Sequence, residues 1–400
     1  SYEEFRYFYL DYEAKERLFL QKIDKWEKPL KPFTCEDIVV SQDFNTYYYS
    51  RKEVDYKKGI DVTTISRTKG IPDIVLNKET SFAKVKKHLI FGKKIAAQMS
   101  DATSAFSYLS DVHDFRKIIG DSAYEYRTGV EFTPQELYML IGMGKSSTSS
   151  HYRFMNKKFT RSKYIVDDMP KNGWELPTDH IYPIVTGPSL TPFRCNLENE
   201  YCILPYSENK TNAPIGISEL MTSNPELFEY LLNHQNLIDN QSDKSKVMRR
   251  GEEFYALSKI GPYTFSKYLV AARDNTKFCA TVIEPQNTPW GETKQSICVK
   301  HTMIIGRTVA GRFIEKDEAY YIAGILNSNI VIQYMQSTFK SNGYSLKKSH
   351  FYLPEFDQTN PLHKEICKLA KKASKLTDQA KIAIIQSKLS DVYLNLCSSR

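Results

Sequence analysis

Asn287-Thr288-Pro289-Trp290 comes nearest, in residue types, to a catalytic turn in this chain. In amino-methyl transfer, an Asn/Asp-Pro-Pro-aromatic turn holds the target amine with its polar side chain and carbonyls. Its aromatic ring stacks on the flipped base. This stretch is one proline short and far too late in the chain, and it reads as a polar β-turn. The companion feature, a Gly-rich loop that lets backbone approach the methionine half of S-adenosylmethionine, has no better candidate than Phe91-Gly92. Gly144-Lys145-Ser146 imitates the end of a phosphate loop, but Met139 stands where the earlier glycine is required. It also follows a predicted helix, so it reads as a helix C-cap and loop. Gly59-Ile60-Asp61-Val62 and Pro72-Asp73 resemble the acidic half of a restriction-nuclease core, but Glu79-Thr80-Ser81 stands where Glu-x-Lys should follow. Cys298 and His301 offer two metal ligands, too few for a zinc site. No Ser/His/Asp elbow appears, so no catalytic residue and no metal ligand is assigned.

The elements that would position any site spell an α+β fold. Phe5, Phe8, Tyr12, Phe19, Ile23 and Trp26 make one apolar face of a helix over Tyr2–Lys28, stopped by Pro29 and Pro32. Short apolar runs predict strands at Asp37–Val40, Tyr47–Tyr49, Ile60–Ile65 and Ile74–Leu76. Thr133-Pro134-Gln135-Glu136 has the pattern of a capped helix start, and that helix is expected to end at Gly142-Met143-Gly144. Strands are expected within Tyr152–Val166, Ile181–Val185, Tyr201–Leu204, Tyr268–Ala271, Cys279–Ile283 and Ser296–Ile305. Asn224-Pro225 opens a helix with Leu227, Phe228, Leu231 and Leu232 inward. One helix carries Leu326-Asn327-Ser328-Asn329. Pro361–Leu376 and Thr377–Leu396 form a terminal pair, with Ile366, Leu369, Ala373, Leu376, Ile384, Ile385, Val392 and Leu396 inward.

The chain has 400 residues, enough for two to three domains, and 41% apolar composition. It opens at Ser1 without an initiator Met, so a longer parent protein is expected. No apolar run approaches the roughly 18–20 residues that cross a bilayer, and there is no signal pattern. Seven cysteines without a Cys-x-x-Cys pair suit a reducing cytoplasm. Residues 241–400 carry 24 Lys and Arg against 14 Asp and Glu, whereas residues 1–240 carry 31 against 33. The whole cationic excess therefore lies in the last two-fifths, a distribution suited to phosphate contact.

Several segments keep a shared order. Tyr124-Glu125-Tyr126-Arg127-Thr128-Gly129-Val130 is followed by His180–Val185, Tyr201–Tyr206 and Pro225–Leu237. Then come Arg249–Leu257, Lys267–Arg273, Leu326-Asn327-Ser328, Asn342-Gly343-Tyr344 and Leu353-Pro354-Glu355-Phe356. This order, spanning about 270 residues from Ser122, resembles the target-recognition region of Type IIG and related bacterial adenine-specific DNA methyltransferases, similar to the TaqI-like C-terminal specificity domain.

The resemblance implies three parts: residues 1–121 as a connector or remnant of a methyltransferase core, 122–356 as the recognition domain, and 357–400 as a helical pair. It implies double-stranded DNA and a methyltransferase catalytic domain or subunit as partners. S-adenosylmethionine is expected in that parent or partner, with no cofactor in this chain. Arg249, Arg250 and Arg273 lie where that family contacts DNA; with Arg127, Lys145, Tyr255, Lys340, Tyr344, Lys347 and Lys348 they are the expected DNA-binding residues. Asn327 and Ser328 are assigned instead to helix packing. Two other readings stand beside it: a nuclease subunit with a degenerate core in residues 36–100, and a non-catalytic nucleic-acid-binding scaffold.

Overall fold

A computed structural model of the protein describes residues 58–67, 89–100, 103–146, 148, 150–159, 166–241, 247–339 and 343–399. The expected helix Tyr2–Lys28, the strands Asp37–Val40, Tyr47–Tyr49 and Ile74–Leu76, the acidic candidates Asp73 and Glu79, and Lys340 lie outside the described residues. The fold is α+β. Its contacts separate Ser1–Val112 from His113–Arg400. Among the described residues, no helix is long and apolar enough to cross a membrane.

In the first unit, β1 (Ile60–Arg67), β2 (Leu89–Ser100) and β3 (Thr103–Tyr108) form an antiparallel meander. Asp61 stands opposite Ile95. The Lys94 ammonium lies 3.7 Å from the centre of the Tyr108 ring. Helix α1 (Leu109–Ile118) contains the division between units.

The second unit opens with β4 (Arg127–Thr128), α2 (Gln135–Tyr138), β5 (Met139–Lys145), β6 (His151–Asn156), β7 (Trp174–Pro177) and β8 (Ile181–Val185). Two-residue strands β9 (Leu190–Thr191) and β10 (Arg194–Cys195) precede β11 (Glu200–Ile203). Helices α3 (Ile217–Ser223), α4 (Pro225–Asn233) and α5 (Gln235–Asp239) follow, then β12 (Leu269–Arg273) and β13 (Ala280–Ile283). A hairpin of β14 (Gln286–Asn287) and β15 (Thr293–Lys294) leads to β16 (Ile297–Cys298) and β17 (Thr302–Ile305). The chain closes with α6 (Lys316–Leu326), α7 (Asn329–Thr338), α8 (Pro361–Ser374) and α9 (Gln379–Ser398).

Six strands pair in the order β16-β8-β11-β5-β6-β7, antiparallel except for the parallel β16–β8 edge. Along β6 the side chains alternate between buried and half-buried, the signature of a sheet with one face on a core. Tyr152 and Phe154 point into that core, where Leu227, Tyr230 and Leu231 of α4 also lie. Asn287–Trp290 forms a turn in which the Thr288 N–H bonds the Glu292 carbonyl, and the Trp290 ring packs 5.1 Å from Tyr201.

The second sheet runs β13-β12-β17-β4. Leu269–Ala272 and Thr302–Ile305 are buried without a break, because both sheet faces are covered. Helix α6 packs on β12 and β13 from one side. Gly324 lets α8 come close: a Cβ there would sit 2.7 Å from Ile366 Cγ2. Helices α8 and α9 pack on each other and on α6. The Tyr124 hydroxyl donates to Glu318 (2.9 Å) and accepts from the Phe356 N–H (2.9 Å), while Arg312 grips both Glu318 oxygens.

Several local expectations change. The helix after Pro134 lasts one turn and has no side-chain cap. Gly142–Gly144 belongs to β5 as a bulge opposite β6, not to a helix end. Apolar Met139–Ile141 suits either element, and pairing with β6 and β11 decides for the strand. Ser296–Ile305 breaks into two strands at a turn where His301 has φ 75°. The helix through Leu326–Asn329 is two helices, broken between Asn327 and Ser328. Leu232 and Ile384 face solvent, because each lies on the outer side of a helix whose buried stripe is narrower than its apolar content.

Candidate functional site

Arg127 and Thr128 pair with Ile304 and Met303 at the edge of the four-stranded sheet, and both side chains are exposed. Two segments distant in sequence arrive beside them. Val247–Arg250 follows α5 in sequence, and Tyr344–Lys347 follows α7. With Tyr126, Lys259, Tyr263, Asp274 and Met303 they line an open cleft of about 610 Å³.

Each wall is locally enforced. The Arg250 N–H bonds the Leu257 carbonyl at 2.7 Å, and the buried Tyr206 hydroxyl donates to the Arg250 carbonyl at 2.8 Å. Gly251 then turns the chain with φ 120°, and a Cβ there would lie 2.2 Å from Pro214 Cδ. Only glycine fits that turn without strain. On the other wall, the Tyr344 N–H bonds the Asp274 carbonyl at 2.7 Å, and its ring meets Phe278 edge-on at 5.6 Å. Leu346 is buried, and the single 3₁₀ turn Leu346–Lys348 leaves Lys347 exposed at the lip.

The cleft is cationic. Among the described residues, Arg127, Arg249, Arg250, Lys259 and Lys347 line it against one carboxylate, Asp274. Arg127 pairs with Glu125 and lies over the Tyr263 ring, 5.6 Å from its centre. Lys259 reaches Glu131 at 3.0 Å, and Lys300 holds the other oxygen of that carboxylate. Burial alone would raise the Glu131 carboxyl, but Lys300 and Lys259 outweigh it and hold it below the ordinary carboxylate value. Burial pushes the Tyr263 phenol up, partly offset by Arg127 and Arg250. Among the described residues, Arg250 and Lys347 meet no carboxylate within ion-pair distance, so their charges stay available.

The ten expected contact residues divide. Arg127, Arg249, Arg250, Tyr344 and Lys347 converge on the cleft, and Lys340 lies outside the described residues. Arg249 lines the cleft, yet its guanidinium donates to the carbonyls of Phe254 (3.3 Å) and Ile238 (3.0 Å), which occupies it structurally. Tyr255 is a correction: its ring is fully buried and its hydroxyl donates to the Ile215 carbonyl at 2.6 Å, so it cannot meet a base. Tyr344 is 6% exposed and presents little ring surface. Lys145 ends β5 in the other sheet, and Lys348 is exposed but not among the cleft residues. Arg273 ends β12 near Gly187 while its neighbour Asp274 lines the cleft, as the alternation of side chains along a strand requires. Asn327 and Ser328 are buried and spend their side chains on backbone groups, so their packing assignment stands.

Lys259, Tyr263 and Asp274 were not legible as site residues. A period-2 reading continued past Arg273 would have placed Asp274 opposite it, but nothing local marks Lys259, which takes a φ of 60°. Among the described residues, no group of three or more His, Cys, Asp or Glu is placed to hold a metal ion. The arrangement can hold a polyanion along two walls. No protein-family model matches the chain, and no curated protein matches it at a significant level.

Proposed function

We propose that this chain binds duplex DNA in the basic cleft, as the target-recognition part of an adenine-specific DNA methyltransferase of a cytoplasmic restriction–modification system. Methyl transfer from S-adenosylmethionine then resides in a catalytic domain or subunit beyond these residues. One observation carries the reading: Arg127, Arg250 and Lys347, each more than 95 residues from the next, stand around a single open cleft. Cations gathered by folding from separate segments suit a ligand with regularly repeated negative charge, and phosphate neutralisation releases condensed counterions. The cationic excess of residues 241–400 supplies the long-range attraction that such binding uses.

The test is a titration of fluorescent duplex DNA at several salt concentrations. Affinity should fall steeply with salt, by a slope of about 0.9 per phosphate neutralised. Replacing both Arg250 and Lys347 by alanine should flatten the slope by roughly two units if each meets one phosphate. A slope unchanged in the double variant, or no duplex binding by the intact chain, overturns the reading.

A further inference from the structure

Asp274 is out of place in a cleft built only for phosphates. Among the described residues it is the one carboxylate lining the cleft, beside five cations. Its Oδ1 is buried without a hydrogen-bond partner, and Oδ2 faces His301 Nδ1 at 3.4 Å, beyond good hydrogen-bond length. Glu131, the carboxylate paired with the cleft's Lys259, is by contrast gripped by two lysines. A phosphate brought to Asp274 would be repelled, whereas a nitrogen donor would find unused acceptor capacity.

We infer that Asp274 is a specificity-determining residue of the cleft, accepting a hydrogen bond from the exocyclic amino group of a nucleobase, cytosine or adenine. This rests on the duplex-DNA reading of the same cleft. Amino groups are the donors that bases present in the major groove, and a carboxylate accepting from cytosine N4 is an established pairing type. The Asp274 side chain is 23% exposed, so a donor entering the cleft can reach it, and its broad terminal torsion lets the carboxylate turn to align. The position is rigid: Asp274 follows the buried strand β12, and its carbonyl is held by the Tyr344 N–H. Arg250 and Lys347 would then fix the backbone while Asp274 discriminates, the usual division between positioning and reading contacts.

The experiment selects bound duplexes from a pool with a random 16-bp core and sequences them, using the intact chain and the variants D274A, D274N, H301A and K347A. Thermal melting confirms folding, and D274L, with the same branching at Cγ, replaces D274A if the alanine variant melts below the assay temperature. The expected result is a preference for cytosine or adenine at one position that falls about tenfold or more in D274A. D274N, which keeps an acceptor, should retain part of it, H301A should keep it whole, and K347A should lower affinity for every sequence alike. Random-pool affinity should rise in D274A, because a negative charge leaves the cleft. Unchanged preferences in D274A overturn the inference alone, as does H301A erasing the same position, which would assign Asp274 to holding His301. Absence of duplex binding by the intact chain overturns this inference together with the DNA reading.

Discussion

The side-chain amide of Asn327 is bonded to both backbone groups of Ala280: Oδ1 accepts from the Ala280 N–H at 3.0 Å, and Nδ2 donates to its carbonyl at 2.6 Å. This fully buried amide locks the break between α6 and α7 onto the strand β13. Its own carbonyl accepts from Gln386 of α9 at 3.0 Å, so one residue ties a sheet to two layers of helix.

Asn327→Ala leaves the buried Ala280 N–H without a partner, while the Ala280 carbonyl keeps the Phe193 N–H. An unsatisfied buried donor costs about 1–3 kcal/mol, so the variant should lose roughly that much in a urea melt. A loss below about 1 kcal/mol would mean that α6 and α7 hold their break without this clamp.

Gly251→Ala forces a side chain into a left-handed turn already in contact with Pro214. Stability should fall by about 1–3 kcal/mol, and DNA affinity should fall with it, because Arg250 is presented by that turn. Full affinity in a folded Gly251→Ala variant would separate the turn from the cleft.

Arg249→Ala and Lys348→Ala serve as contrasts to Lys347→Ala. Arg249→Ala should lower the urea midpoint, since two backbone carbonyls lose a charged donor, a loss of about 1–3 kcal/mol. Lys348→Ala should leave stability unchanged and move the salt slope less than Lys347→Ala, because only Lys347 lines the cleft. Equal slopes for the two lysine variants would place the DNA path outside the cleft.

Glu131 predicts a pH effect with a definite sign. Its folded pKa lies below the ordinary 4.5, so its ionised form is favoured by folding. The stabilisation is complete above about pH 4.5 and is lost as the pH falls through the lower folded value. The wild type should therefore exceed Glu131→Gln in stability at neutral pH, and the gap should close in acid. A gap independent of pH from 7 to 3 would sink this account.

Much of the scaffold could be read from residue order. The run Ile181–Val185, the Pro225 helix with Leu227 and Leu231 inward, and the terminal helices are set by local apolar period and by prolines at helix starts. Asn327 was also legible as a packing residue. The α+β class follows from the mixture of helical and short apolar runs, and the late clustering of cations from where Lys and Arg stand in the chain. Tertiary structure decided the rest. Met139–Gly144 became a strand because two neighbours offered hydrogen bonds, a choice that periodicity in so short an apolar run cannot make. The same principle sorted the cations: Arg249 turned to nearby carbonyls, Arg273 took the far side of its strand, and Arg250 and Lys347 reached the open cleft. Charge is written in the sequence, but which charge remains unspent depends on partners that only long-range packing brings within reach.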